Sequence, residues 1–175
     1  MIKPFLRSPL IFLCLLLSHP AAQASINPLA QLPGSQQVGA GELTWFGMTV
    51  YQASLFAAAG VYKPDLPHAL KIEYAFSFSA YQLAKQSLKE IERIHGQQPD
   101  RDSLLEQLQA VFRDVENGDY ILGVHYPGQG ANFYSAGELL GRLESSELAE
   151  MFFGIWLNPD TREPRLRNQL LGSRR

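Results

Sequence analysis

The chain has 175 residues, of which 46% are hydrophobic and 18% charged, and these fractions are typical of a globular protein of one domain. Its 15 basic and 17 acidic residues give a formal net charge of −2, so we expect no binding to nucleic acid. The longest apolar run lies at the N-terminus. This distribution argues against an integral membrane protein with several spans.

Residues 1–24 have the features of a signal peptide. Two basic residues, Lys3 and Arg7, precede an apolar stretch at 10–17, and Ala-Gln-Ala at 22–24 offers the small residues of a cleavage site. We therefore expect cleavage after residue 24 and a periplasmic or secreted protein. A signal retained as a membrane anchor is the alternative.

The single cysteine, Cys14, lies inside that apolar stretch. The processed chain would have no thiol, so disulfides and cysteine-based catalysis or metal binding are not expected. Residues 25–36 are polar and contain two prolines, which is typical of a flexible N-terminal segment. The pattern of a folded domain covers 37–172.

Strands are predicted at both ends of this domain. β-forming residues fill 44–57, with a turn or bulge at Gly47, and Tyr51 shares a face with Ala53 and Leu55. Alternating apolar and polar residues predict a strand over 71–78 that includes Phe76 on its apolar face. Three more short strands are expected in an antiparallel meander, at 119–126, 131–135 and 139–143.

Helical spacing predicts two helices in the middle of the domain and two at its end. The first covers 80–94 and contains Leu83, and the second follows Pro99 and continues to about Asn117, with Phe112 among its apolar residues. A third is capped by Ser145 or Ser146 and stops at Asn158, and a short fourth stops at Gly172. Strands grouped at both ends, rather than alternating with helices, favour an α+β class with a mostly antiparallel sheet.

Two patterns resemble catalytic or cofactor motifs. Val38 to Gly41 contains GxG, but a strand pattern follows where a phosphate-binding loop needs a helix. His125 is the only histidine on a predicted strand, and a partly exposed imidazole without a role explains it more simply than a general base. No two histidines have helical spacing, so we predict no metal site, no cofactor and no assigned catalytic residue. The histidines are His19, His68, His95 and His125.

Five arginines crowd the C-terminal stretch. A solvated helix face explains them. The alternative is a surface that docks an acidic partner protein in the cell envelope. They are Arg162, Arg165, Arg167, Arg174 and Arg175.

Aromatic residues are concentrated on the predicted strands. Most of them must fill the core, because their rings bury large areas. A curved sheet lined with such rings and faced by helices can also enclose a ligand, with tyrosine hydroxyls as its polar contacts.

The order of elements is strand pair, strand, two helices, strand meander and helix pair, and it resembles the chalcone isomerase-like family, in particular its exported bacterial branch. The resemblance covers about residues 37–172 and implies an open-faced β-sandwich with a ligand cleft between sheet and helices. Plant members cyclise chalcones to flavanones, and related non-catalytic members bind fatty acids. The stretches that carry it are VGAGELTWFGMTVYQASLFA (38–57), DYILGVHYPGQGANFYSAGELLGRL (119–143) and FFGIWLNPDTREPRLRNQLLG (152–172).

This chain departs from the catalytic pattern of that family. Catalytic members use an arginine of the first hairpin to hold an oxyanion, but no arginine lies between Arg7 and Arg93 here. Phe46 falls at the position of the family's hairpin threonine, and Leu83 and Gln86 fall at those of a tyrosine and a lysine. The resemblance therefore implies the pocket without its catalytic groups. The chain also lacks the arginine with which the fatty-acid binders of the family hold the carboxylate.

The leading hypothesis is an exported, non-catalytic domain that binds a small apolar molecule in a cleft between sheet and helices. An intramolecular lyase or isomerase acting on a chalcone-like enone is the first alternative. An interaction module of the cell envelope is the second. The residues expected to line the cleft are Tyr51, Phe76, Leu83, Phe112 and Phe133.

Overall fold

A computed structural model describes residues 28–173. The predicted signal peptide and the last two arginines lie outside the described residues. One turn of 3₁₀ helix, Pro28–Gln31, precedes the regular elements. These are β1 (Ser35–Trp45), β2 (Met48–Ala58), β3 (His68–Tyr74), α1 (Ala80–His95), α2 (Arg101–Ala110), β4 (Tyr120–Tyr126), β5 (Gly130–Ser135), β6 (Glu138–Leu143), α3 (Ser146–Leu157) and α4 (Pro164–Leu170).

The six strands form one antiparallel sheet in chain order, β1 to β6. This confirms the predicted α+β class with an antiparallel sheet. The predicted break at Gly47 is a tight hairpin turn, in which Phe46 and Gly47 have φ of 48° and 77°. Two residues with positive φ suit the twist of a two-residue hairpin. Phe46 stands 86% exposed at this tip.

The third strand differs from its prediction over 71–78. It starts at His68 and ends at Tyr74, and the chain then leaves the sheet to reach α1. Ser79 caps α1, with its hydroxyl accepting from the Gln82 amide and the Gln82 side chain accepting from the Ser79 amide. This start signal redirects the chain, so Phe76 is not on a strand and is 42% exposed.

The second helix is shorter than predicted. It ends at Ala110, and the apolar residues that continued its helical spacing lie in the following loop. Val115 there exchanges two backbone hydrogen bonds with Phe78, at 2.9 Å each. This bridge draws the loop across the end of the sheet, where Val111 and Val115 are still buried.

All four helices belong to the larger of two apolar clusters, which includes the alternate strand residues Ala53, Leu55, Leu70 and Ile72. A smaller cluster covers Ala69, Leu122 and Val124, whose positions in the strands alternate with those of the first set. Leu32 joins this smaller cluster at 7% exposure. The predicted flexible segment 25–36 is thus partly packed, and β1 already begins inside it.

The GxG pattern has a structural explanation. Gly39 and Gly41 lie in β1 where α4 crosses it, and a Cβ at Gly39 would fall 2.1 Å from the Gln169 carbonyl oxygen. Glycine therefore lets the helix backbone touch the strand backbone. Leu166 and Leu170 of α4 are buried as a result.

Across residues 28–173, no helix has both the length and the apolar character needed to span a bilayer.

Candidate functional site

The candidate site is a group of three side chains between the sheet and α3, which we name the Tyr51 seam: Tyr51, Tyr74 and Trp156. Tyr51 on β2 and Tyr74 on β3 are directly opposite each other in the antiparallel register. The indole nitrogen of Trp156 donates a hydrogen bond to the Tyr51 hydroxyl at 2.9 Å. Strand pairing and one helix thus bring three polar-tipped aromatic residues together.

Both tyrosine hydroxyls of the seam stay protonated. Burial raises the pKa of Tyr51 to about 12, the bond from Trp156 acts against this increase, and the negative charges of Glu163 and Glu90 add to it. Burial also raises the pKa of Tyr74, and the proximity of Tyr51 contributes. The two hydroxyls therefore keep their hydrogens at neutral pH and can serve as donors.

These donors are not used up by the surrounding protein. Tyr51 accepts the Trp156 hydrogen, and its own hydroxyl hydrogen has no acceptor among residues 28–173. Tyr74 is 8% exposed, and its hydroxyl makes no hydrogen bond within residues 28–173 but is not among the fully buried unpartnered polar atoms, so it still touches solvent. The two hydroxyls are thus hydrogen-bond donors that the described part of the protein does not use.

A row of aromatic rings continues from the seam toward the centre of the sheet. The ring centroids of Trp156 and Phe152 are 5.4 Å apart, and those of Phe152 and Phe133 are 5.2 Å apart. Phe112 lies 5.9 Å from Phe152 and 6.0 Å from Phe133. The wall beside the seam is thus apolar over several side chains.

The centre of this interface is filled. Phe133 is 1% exposed, and a Cβ on Gly123 of β4 would lie 2.9 Å from the Phe153 ring and 3.2 Å from the Phe133 ring. At the margin, by contrast, Tyr51, Trp156 and Leu83 are only partly buried against the core. The margin of the interface is therefore less completely buried than its centre.

The structure brings four of the five predicted lining residues into the main apolar cluster. Tyr51, Leu83 and Phe112 lie partly buried at its edge, and Phe133 lies fully buried within it. Phe76 lies outside, exposed between β3 and α1.

A buried acid, whose charge raises the pKa of Tyr51, binds two arginines. Glu90 of α1 is 7% exposed, and its carboxylate binds Arg93 at 2.8 Å and Arg162 at 3.2 Å. Gln86 also donates to it, at 3.3 Å. Arg93 reaches on to the Asp160 carbonyl.

Of the three C-terminal arginines that lie within residues 28–173, two are engaged in contacts of the fold. Arg162 binds Glu90, and Arg167 donates to the Leu157 carbonyl at 2.7 Å, so both are engaged within the fold. Arg165 is exposed. Docking of an acidic partner on this stretch stays a prediction.

Two histidines form a second buried polar group, away from the seam. His68 and His125 are opposite each other on β3 and β4, with ring centroids 4.9 Å apart. Both are 2% exposed, so the expectation that His125 is partly exposed was wrong. The His125 ring stacks on the ring of Phe153 of α3, which covers this face of the sheet.

The surroundings of these histidines favour neutral imidazoles. Burial lowers the pKa of His125 to about 4, and the neighbouring His68 lowers it further. Burial also lowers the pKa of His68, although its Nδ1 bonds the Leu66 carbonyl at 2.9 Å. Within residues 28–173, no group of three or more metal-binding side chains is found.

Two surface depressions lie elsewhere. One, of about 340 Å³, is lined by residues 29–37 and Phe56. The other, of about 570 Å³, lies between α1 and α3 and is lined by His95, Gln98, Glu147, Glu150, Met151 and Asn158. Both are open to solvent.

Sequence reasoning missed Tyr74, Trp156 and Glu90 as members of a site. Tyr74 and Trp156 were placed correctly on a strand and a helix, but their meeting depends on how α3 crosses the sheet. An indole N–H that must be buried needs an acceptor, and this was the available signal. Glu90 had no signal, since a glutamate in a predicted helix is usually solvated.

The comparisons with known proteins agree with this architecture. A chain from Haemophilus influenzae described as an uncharacterized protein is 30% identical over 138 residues, which cover 78% of this chain and 68% of that one. The crystal structure of a fatty-acid binding protein from Arabidopsis thaliana matches with a TM-score of 0.63 at 12% identity, covering 80% of this chain and 88% of that one. The model of the chalcone isomerase-like family matches residues 36–172. The sequence match over most of the chain and the shared fold establish that this protein belongs to the chalcone isomerase-like family.

Proposed function

We propose that this protein binds a small apolar molecule between its sheet and its helices, with the ligand held at the Tyr51 seam. The observation that carries the proposal is the pair of unused hydroxyl donors, Tyr51 and Tyr74, beside an apolar wall. An apolar surface with a few oriented polar groups is the usual make-up of small-molecule sites.

The fold neighbour supports this proposal. The Arabidopsis protein named as a fatty-acid binder shares the architecture, although the low identity transfers no residue roles. The predicted signal peptide adds the proposal that binding takes place in the periplasm or outside the cell.

The packing supports a ligand position at the edge of the helix layer. The centre is occupied by Phe133 and Phe153, whereas Leu83 of α1 and Trp156 of α3 are partly exposed at the margin. An apolar chain that enters there would contact Trp156 and the rings behind it. Binding would bury these side chains further and release the water around them.

The two tryptophans allow a direct test by fluorescence. Trp156 lies in the seam, and Trp45 stands 66% exposed at the hairpin tip. In the Trp45→Phe variant, bromododecane should quench the emission of the remaining Trp156, and the quenching should saturate as the bromododecane concentration rises. Bromine quenches only on contact, so this result would show binding beside Trp156. The signal needs no assumption about the natural ligand.

Two matched variants complete this experiment. In the Trp156→Phe variant the remaining Trp45 should show no saturable quenching. Leu139→Ala, made in the Trp45→Phe background, removes an apolar side chain that is 56% exposed on β6 and should leave the quenching of Trp156 unchanged. Saturable quenching of Trp45 alone would place apolar binding at the hairpin tip and contradict the proposal.

A further inference from the structure

We infer that the Tyr51 seam selects an uncharged molecule with a hydrogen-bond-accepting oxygen, such as an ester, ketone or alcohol, over the carboxylate anion of a fatty acid. The inference rests on the proposed function and deepens it by naming the ligand class. The donors of the seam and the negative charges that act on it both favour such a ligand.

The donors suit one neutral oxygen. Because Trp156 is committed to the Tyr51 hydroxyl, the hydrogens left for a ligand belong to Tyr51 and Tyr74. These residues are cross-strand neighbours, and opposed Cβ atoms in an antiparallel pair lie about 5 Å apart. Two protonated phenols at that spacing can both donate to a carbonyl oxygen or to an alcohol.

The charge behind the seam is unfavourable for an anion. Glu90 and Glu163 both act on the Tyr51 hydroxyl as negative charges. A carboxylate brought to Tyr51 would leave water and meet these acids. Moving an ion out of water is costly unless a cation compensates for it.

The arginines close to this region do not supply that compensation. Arg93 and Arg162 are held by Glu90, and the side chain of Glu90 is 10% exposed while theirs are 31% and 56% exposed. The acid is thus the buried member of the group and the arginines lie toward solvent.

A comparison of three ligands with the same chain length tests the inference: laurate, methyl laurate and dodecane, titrated at pH 8 by Trp156 fluorescence in the Trp45→Phe protein. Methyl laurate should bind about tenfold more tightly than laurate, since its carbonyl accepts hydrogen bonds without bringing a charge. Equal or tighter binding of laurate would overturn the inference while leaving the proposed function intact. If none of the three binds, the proposed function fails and the inference fails with it.

Substitutions of the two tyrosines separate recognition from folding. Tyr51→Phe and Tyr74→Phe should each lower the affinity for methyl laurate by about fivefold, because each removes one hydrogen bond. The affinity for dodecane should not change. Tyr81→Phe, at a tyrosine 47% exposed on α1, is the matched control and should change neither. Equal losses for ester and alkane would mean that the tyrosines only shape the wall, and this would overturn the inference.

Glu90→Gln tests the role of charge. It removes the buried negative charge and leaves Arg93 and Arg162 without their carboxylate. The preference for methyl laurate over laurate should then narrow or reverse. A ratio of affinities is insensitive to partial loss of folded protein, and an unchanged ratio would contradict the electrostatic argument.

Discussion

The glycines of β1 offer a sharp test of how α4 docks. In Gly39→Ala the new Cβ would lie 2.1 Å from the Gln169 carbonyl oxygen and 2.6 Å from that of Leu170. Both are backbone atoms, so no side chain can rotate away, and the helix must move off the strand. Loss of this docking would expose Leu166 and Leu170, which are 2% and 0% exposed.

The expected size of the effect follows from that burial. Burying one leucine stabilises a protein by about 1.5–3 kcal/mol, so full undocking of α4 should cost about 3–6 kcal/mol. Gly41→Ala should cost less, about 1–3 kcal/mol, because its Cβ meets the side chain of Gln169 and not its backbone. Gly154→Ala, inside α3, is the matched control: its Cβ would have ordinary contacts at 3.8 Å with Asn158 and His95, and it should stabilise by about 0.5–1 kcal/mol.

Urea unfolding of the three variants, followed by circular dichroism, gives these free energies directly. Gly39→Ala should lower the free energy of unfolding most, Gly41→Ala should lower it less, and Gly154→Ala should raise it. A Gly39→Ala protein as stable as the parent would show that α4 does not contact β1 in this way. The explanation of the GxG pattern would then be wrong.

Further predictions concern the buried histidines, the helix caps and catalysis. The pKa of His125 is lowered to about 4 in the folded protein. As the pH falls below 6.5, this imidazole therefore binds a proton in the unfolded chain but stays neutral in the folded protein. Stability is therefore full above that pH and should fall by about 1.5 kcal/mol between pH 6.5 and 5 from this residue alone. Urea unfolding across this range should show a smaller loss in His125→Leu, and an unchanged slope would rule out the residue as its source. Ser79→Ala should cost about 1 kcal/mol by removing the cap of α1, whereas Ser103→Ala on the exposed face of α2 should cost almost nothing; equal losses in thermal unfolding would speak against the cap. Chalcone absorbance should decay no faster than in buffer, because the first hairpin has no arginine to hold an oxyanion; a protein-dependent rate would restore the isomerase alternative.

Much of the fold could be predicted from sequence because local signals agreed with one another. The meander β4 to β6 and the cap of α3, at the first of the two candidate serines, each follow from turn or capping residues next to periodic apolar positions. The errors have a common cause. At Phe76 and after α2, the regular apolar pattern continues after the element has ended. The cap of α1 redirects the chain after Phe76, and the backbone bridge between Phe78 and Val115 redirects it after α2.

The candidate site was less predictable, for a physical reason. Strand alternation correctly predicts that Tyr51 lies on the same face as Ala53 and Leu55, which is the face that the helices cover. The contact with Trp156, however, joins residues 105 positions apart. Such a contact depends on the crossing of α3 over the sheet. The fully buried His125 shows the same limit, since its burial is produced by Phe153 from another element.

The most direct test of the central claim is native mass spectrometry of the protein purified without detergent and mixed with methyl laurate. The account predicts one ligand per chain, and loss of that complex in Tyr51→Ala that exceeds any loss of folded protein measured by thermal unfolding. A Tyr51→Ala protein that retains the ligand, or a parent protein that never binds it, would contradict the claim.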